Sequence, residues 1–264
     1  MTQRPSLLIV LIFLACAGLP GCGTTGKTSP FVLALDLPAG QKAISDIRIA
    51  SAAMDPDAAI LNVVKVRPWG KFEPEDLRNI EQSLRDTIAA QIPAAVRSTG
   101  PGLDVHLMIR RYIVSVSNTG GAVLASVTWA ATESGGKLGY HEQFYASEAV
   151  YLVGTIGLLK ESVHKAIVRR IATTSLALAG GPAAAKARQT TFDNTYTSLE
   201  EATSHLPQTM VSMGIPSLAA VPVPGVSAVG VLTPSGISTV QWNVAKPSEE
   251  FDWQGYLGNL YAGK

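Results

Sequence analysis

Hydrophobic positions follow three different rules along the chain. From Leu7 to Ala17 they form an unbroken run of eleven. Between residues 31 and 180 they recur with the periods of strands and helices, and beyond 181 no period survives the many Pro and Gly residues. Phe31–Leu37 reads as a strand, Ile44, Ile47 and Ile49 suggest a second, and Val63–Val66 a third. Leu77, Ile80, Leu84, Ile88 and Ile92 recur at three- and four-residue spacings, the stripe of an amphipathic helix. Pro74, Glu75 and Asp76 suit its first turn, Arg78, Glu81, Arg85 and Asp86 fall on its wet side, and Pro93 marks its end.

Leu103–Val116 predicts a long strand with a defect. Leu103, Val105, Leu107 and Ile109 share one face, whereas Tyr112, Val114 and Val116 carry the apolar phase afterwards. The alternation slips at Arg110-Arg111, which predicts a bulge. After the Asn118–Gly121 turn, Val123, Ala125, Val127, Trp129 and Ala131 line the face of a returning strand. Ser134–Lys137 then turns into Leu138, Tyr140, Phe144 and Ala146, completing an antiparallel meander. A second helix is expected over 155–179, with Ile156, Leu159, Val163, Ile167, Ile171, Thr174 and Leu178 on its core side and Gly180-Gly181-Pro182 stopping it. The fold class is therefore α+β: a mainly antiparallel sheet with two amphipathic helices packed on one face. It is followed by a low-complexity C-terminal tail.

Composition narrows the function. The 264 residues are 47% hydrophobic and 16% charged, with 21 basic against 20 acidic side chains. So even a balance argues against nucleic-acid binding, and the apolar fraction is ample for a core. The eleven-residue apolar run is shorter than the ~20 residues that span a bilayer, and Arg4 precedes it, as in a secretory leader. It closes on Leu19-Pro20-Gly21-Cys22, which resembles the lipobox of bacterial lipoproteins. The resemblance implies cleavage before Cys22, a diacylglyceryl thioether on its sulfur and acylation of the new amino terminus. Gly23, where an inner-membrane retention signal has Asp, implies the outer membrane, with the domain facing the periplasm. Cys16 and Cys22 are the only cysteines, so the processed chain would hold no free thiol and no disulfide. The expected organisation is a leader over 1–21, a flexible tether over 22–30, the α+β domain over 31–180 and the tail over 181–264.

With its tether and lipobox, this order of elements resembles the small α+β lipoproteins of bacterial envelope machines, such as ABC-transporter auxiliary and lipopolysaccharide-assembly lipoproteins. It implies a non-catalytic binding or assembly module, anchored to a membrane and working with a protein partner. A self-associating structural surface lipoprotein is the alternative. A third reading comes from Gly21–Thr28, which matches the P-loop pattern G-x-x-x-x-G-K-[ST]. Thr28 should then open a helix that holds phosphate, but Pro30, Pro38 and Gly40 prevent one, and the match is read as chance.

Little else carries chemistry. His106, His141, His164 and His205 lack metal-ligand spacing, so no metal, cofactor or catalytic residue is assigned. Glu133, Glu142 and Glu148 could supply a carboxylate pair only if the fold joined them. Arg110 and Arg111, beside the bulge, are candidates for an anionic lipid or partner contact. The tail gathers Trp242, Phe251, Trp253, Tyr256 and Tyr261 near its end. It suits either a docking peptide that orders on a partner, with Trp242 and Trp253 as anchors, or a segment that folds back on its own sheet. Thr197–Glu200 resembles a capping box opening a short helix before Pro207.

Overall fold

The computed structural model describes residues 26–35, 46–55, 60–62, 72–92, 102–116, 121–133, 136–150, 156–179, 192–204, 226–233, 236–244 and 251–263. Its main sheet has six strands: β1 (Ile47–Met54), β2 (Ile60–Asn62), β3 (Leu103–Val116), β4 (Gly121–Glu133), β5 (Leu138–Val150) and β6 (Thr195–Tyr196). The order is β1-β3-β4-β5-β6, with β2 also on β3. Strands β3, β4, β5 and β6 pair antiparallel, the meander expected from the alternating pattern. β1 and β2 both run parallel to β3, one pairing before and one after its irregularity. That irregularity falls between Ile109 and Arg111. One extra residue there returns the apolar phase to the core, so Ile109 and Tyr112 both face inward.

Helices α1 (Pro74–Gln91) and α2 (Ile156–Ala179) cover one face of the sheet. Ile80, Leu84 and Ile88 of α1 and Val163, Ile167 and Ile171 of α2 meet Val105, Leu107, Val127 and Trp129 in one continuous apolar core. The sequence stripes therefore mark the true buried faces, because burying apolar surface is what fixes each helix against the sheet. Trp129, fully buried, still satisfies its indole N–H on Glu142 Oε2 at 3.1 Å.

One expectation changes. Residues 31–35 form no strand; they run extended along α1, bonded to helix side chains rather than to a sheet. Val63–Val66 lies outside the described residues, and the short strand of that region is β2.

The tail holds more regular structure than its proline content suggests. Helix α3 (Leu199–Ser204) follows a Ser198 cap whose Oγ accepts from the Glu201 N–H at 3.1 Å. β7 (Val226–Thr233) and β8 (Gly236–Val244) form a separate antiparallel pair. Pro234 falls in sequence between these two strands, outside the described residues. A final helix, α4 (Trp253–Tyr261), is capped by Asp252, which accepts from the Gly255 N–H at 2.9 Å.

Candidate functional site

The densest buried polar cluster lies where α1 and α2 begin, and it grips residues 26–35. Asp76 in the first turn of α1 and Lys160 in the second turn of α2 form an ion pair at 2.7 Å with side chains 4% and 3% exposed. Lys160 Nζ also donates to the Gly26 carbonyl at 2.9 Å. Asp76 accepts from the Thr28 hydroxyl at 2.9 Å and from the Glu73 N–H at 2.7 Å. Asn79 Nδ2 donates to the Thr28 carbonyl at 2.9 Å and to its hydroxyl oxygen at 3.1 Å. Each charge thus has several partners, the condition under which a buried pair persists.

One turn and two turns further along α1, the grip continues on the backbone. The Phe31 N–H donates to Ser83 Oγ at 3.0 Å and the Leu33 N–H to Thr87 Oγ1 at 3.1 Å. Asn79, Ser83 and Thr87 are spaced four apart and so form one polar row beside the apolar stripe. Leu33 meanwhile buries its side chain in the core, with Phe31 and Leu35 packed against it. Residues 26–30, expected as part of a flexible tether, are therefore bound, and the described part of the segment is a strap laid along α1.

Behind the ion pair stand two more buried titratable groups. The Tyr112 hydroxyl and His164 Nε2 are 3.0 Å apart, and Phe72 packs on the Tyr112 ring at 4.3 Å. Burial pushes the Tyr112 phenol well above its usual range, and Asp76 adds to this. The phenol is thus the donor and the neutral imidazole accepts at Nε2. Burial drives His164 down to about 3; Asp76 opposes the shift and Lys160 reinforces it. His164 Nδ1 is left without a hydrogen-bond partner among the described residues.

This cluster is a clasp rather than a phosphate cradle. The chain after Thr28 is extended and opens no helix, while the Gly26 carbonyl and Thr28 hydroxyl are occupied by Lys160 and Asp76. The Gly26–Thr28 end of the P-loop match therefore lacks the geometry that motif requires. Gly21–Thr25 and Cys22 lie outside the described residues.

The opposite face of the sheet carries two parts of the tail. Trp253 is buried against Met108, Ala130 and Leu257, and its indole N–H donates to Thr128 Oγ1 at 3.0 Å. The tail end thus lies on the face of its own sheet. Trp242 belongs to β8, opposite Ala228. Beneath α4, His106 is fully buried between Ser51 Oγ at 2.9 Å from Nδ1 and the hydroxyls of Thr132 and Tyr261, each 3.3 Å from Nε2. Burial lowers its pKa, while Asp104 raises it. At the other end of this face, Leu124 and Tyr145 pack with Ala202 of α3.

Arg110 and Arg111 stand at the bulge as expected, but differ in use. Arg110 Nε donates to Asp55 at 3.1 Å and its guanidinium lies 5.5 Å from the Phe251 ring centroid. Arg111 pairs in register with Ser126, and its pKa falls because it is partly buried and lies beside Arg110. Glu142 and Glu148 are not brought together. Glu142 pairs with Arg170, whereas Glu148 accepts from Ser162 at 3.0 Å and Asn194 at 2.6 Å. A cleft of about 210 Å³ opens between β1 and α1, lined by Ile47, Ile49, Ile88 and Ile92 with Arg48 and Arg85 at its rim. Among the described residues no cluster of His, Cys, Asp or Glu could hold a metal ion, and no helix is long and apolar enough to cross a membrane.

Scans of the sequence against family models and curated proteins find no match. Among solved structures, the chain is similar to a Xanthomonas campestris protein of the family model DUF330, with 12% identity and a TM-score of 0.42 over 62% of this chain and 100% of that one. It is also similar to a Caulobacter crescentus protein provisionally described as a lipoprotein, with 12% identity and a TM-score of 0.27 over 45% of this chain and 88% of that one.

Proposed function

We propose that the chain is an envelope lipoprotein, anchored through acyl chains on Cys22, whose α+β domain is a non-catalytic binding or assembly module of a membrane-associated complex. The observation that carries this reading is the clasp. Gly26, four residues after Cys22, is held by buried Lys160. An extended chain gains at most ~3.5 Å per residue, so the folded domain would stand within about 14 Å of its anchor. Acyl chains contribute ~0.8 kcal/mol per buried CH₂, enough together to hold the protein in a leaflet. Such confinement raises the effective concentration of the domain for a partner on the same membrane. Gly23 favours the outer membrane, with the domain in the periplasm.

Fractionation of cells expressing Cys22→Ser tests the anchor. The wild type should sediment with membranes and yield an N-terminal peptide carrying the mass of acyl chains, while the variant should be released. Membrane retention of the variant, with an unmodified N-terminal peptide in the wild type, refutes the reading. Crosslinking in native membranes should then trap a protein partner in the wild type and lose it in Cys22→Ser.

A further inference from the structure

The two helices start side by side at the Asp76–Lys160 pair, but their starts are unlike. α1 is led by exposed Glu73 and Glu75. The first turn of α2 holds no acid and presents Leu158, 62% exposed, the most exposed large apolar residue among those described. Its neighbour Gly157 lies against the strap: a Cβ there would stand 3.4 Å from the Lys27 carbonyl and 3.6 Å from Gly26 Cα. Lys27 itself is exposed beside it.

A single exposed leucine on a surface normally needs no explanation. This one follows Gly157, which lies against Gly26, four positions after Cys22 and so within about 14 Å of an acyl anchor by the reach of an extended chain. We propose that in the anchored protein the start of α2 rests in the headgroup layer of a phospholipid leaflet, with Leu158 inserted and Lys27 at the level of the phosphates. Lys27 places its charge in the wet layer while its stem follows the apolar side chain inward. Glu73 and Glu75 keep the start of α1 in water, so the domain leans on α2. The inference deepens the reading of Cys22 as a lipid carrier and rests on it.

The lipidated full chain offers a direct test. Processing removes Cys16 with the leader, and the thioether blocks Cys22. Leu158→Cys would therefore be the only free thiol and would accept an environment-sensitive fluorophore. Ala90→Cys, exposed near the far end of α1, serves as the control. Both proteins are reconstituted into phosphatidylcholine vesicles with and without nitroxide-bearing lipid. The nitroxide should remove most of the emission at position 158 and leave that at position 90 nearly unchanged. Equal, weak quenching at both positions in protein that floats with the vesicles overturns the inference while leaving the anchor intact. Protein that fails to float refutes the anchor, and the inference falls with it.

Discussion

Replacing Asp76 by Ala should be among the most damaging single changes in the chain. The substitution removes the acceptor of three hydrogen bonds, from Lys160, Thr28 and the Glu73 N–H. It also strands the Lys160 ammonium, 3% exposed, away from water. Breaking a buried ion pair from one side costs about 3–5 kcal/mol. That is a large share of the ~5–15 kcal/mol that holds an ordinary domain folded. Lys160→Met removes the cation but keeps a straight side chain of similar length and leaves Asp76 two donors, so it should cost less. In Asp76→Ala/Lys160→Met no charge is stranded, and the double variant should cost less than the sum of the singles by about 1–3 kcal/mol. Urea unfolding of the processed chain at neutral pH measures this, since at ~2 kcal/mol per M a 4 kcal/mol loss moves the midpoint by about 2 M. Strictly additive costs, or a loss below about 1 kcal/mol for Asp76→Ala, would show that the pair does not secure the helix starts. Hydrogen exchange supplies a local control, because the Phe31 and Leu33 amides should lose protection first.

Acid should weaken the fold before carboxylates are protonated. Unfolded histidine takes a proton near 6.5, whereas folded His164 resists until about 3 and His106 is also lowered. The unfolded state therefore gains protons that the folded state does not, and stability present above pH 6.5 falls below it by about 1.4 kcal/mol per pH unit through His164, with His106 acting in the same direction. His164→Gln should flatten the dependence of stability between pH 6.5 and 5 by one such slope; an unchanged profile would contradict the burial argument. Thr87→Val, which keeps shape but strands the Leu33 N–H, should cost about 1–3 kcal/mol and speed exchange at that amide. Trp253→Ala should cost about 3–5 kcal/mol of α4 docking, read as cleavage of the last helix by protease while the sheet remains intact. Gly136→Ala should loosen the same helix, since Gly136 sits at φ +84° and an added Cβ would meet the Tyr261 ring at 2.8 Å.

The legible parts of the sequence are those that local spacing controls. The Leu77–Ile92 stripe, the slip at Arg110-Arg111 and the Val123–Ala131 alternation each correspond to a real buried face, because strand and helix periods are properties of adjacent turns. The clasp was partly visible as a pattern without a meaning. Asn79, Ser83 and Thr87 recur every four residues beside the apolar stripe, and Lys160 and His164 interrupt an otherwise apolar helix face at the same spacing. Their partners are hidden from any local window: Lys160 lies 84 residues from Asp76, and Ser83 lies 52 from Phe31. Residues 31–35 look like a strand because all five are apolar, but the side chains of α1 take the hydrogen bonds a neighbouring strand would have taken. In the tail, proline frequency obscured β7 and β8, since Pro234 falls between the strands.

Ser83 and Thr87 hold main-chain amides, not side chains, and this divides the selective pressure at the clasp unevenly. Ser29, Pro30, Val32 and Ala34, whose side chains are exposed, are free to drift without loosening the grip. Asn79, Ser83 and Thr87 are not, since each is buried and tied to a fixed point on another stretch of chain. Across diverged copies of this gene, the helix should keep its hydroxyl ladder long after the peptide it holds has changed its spelling.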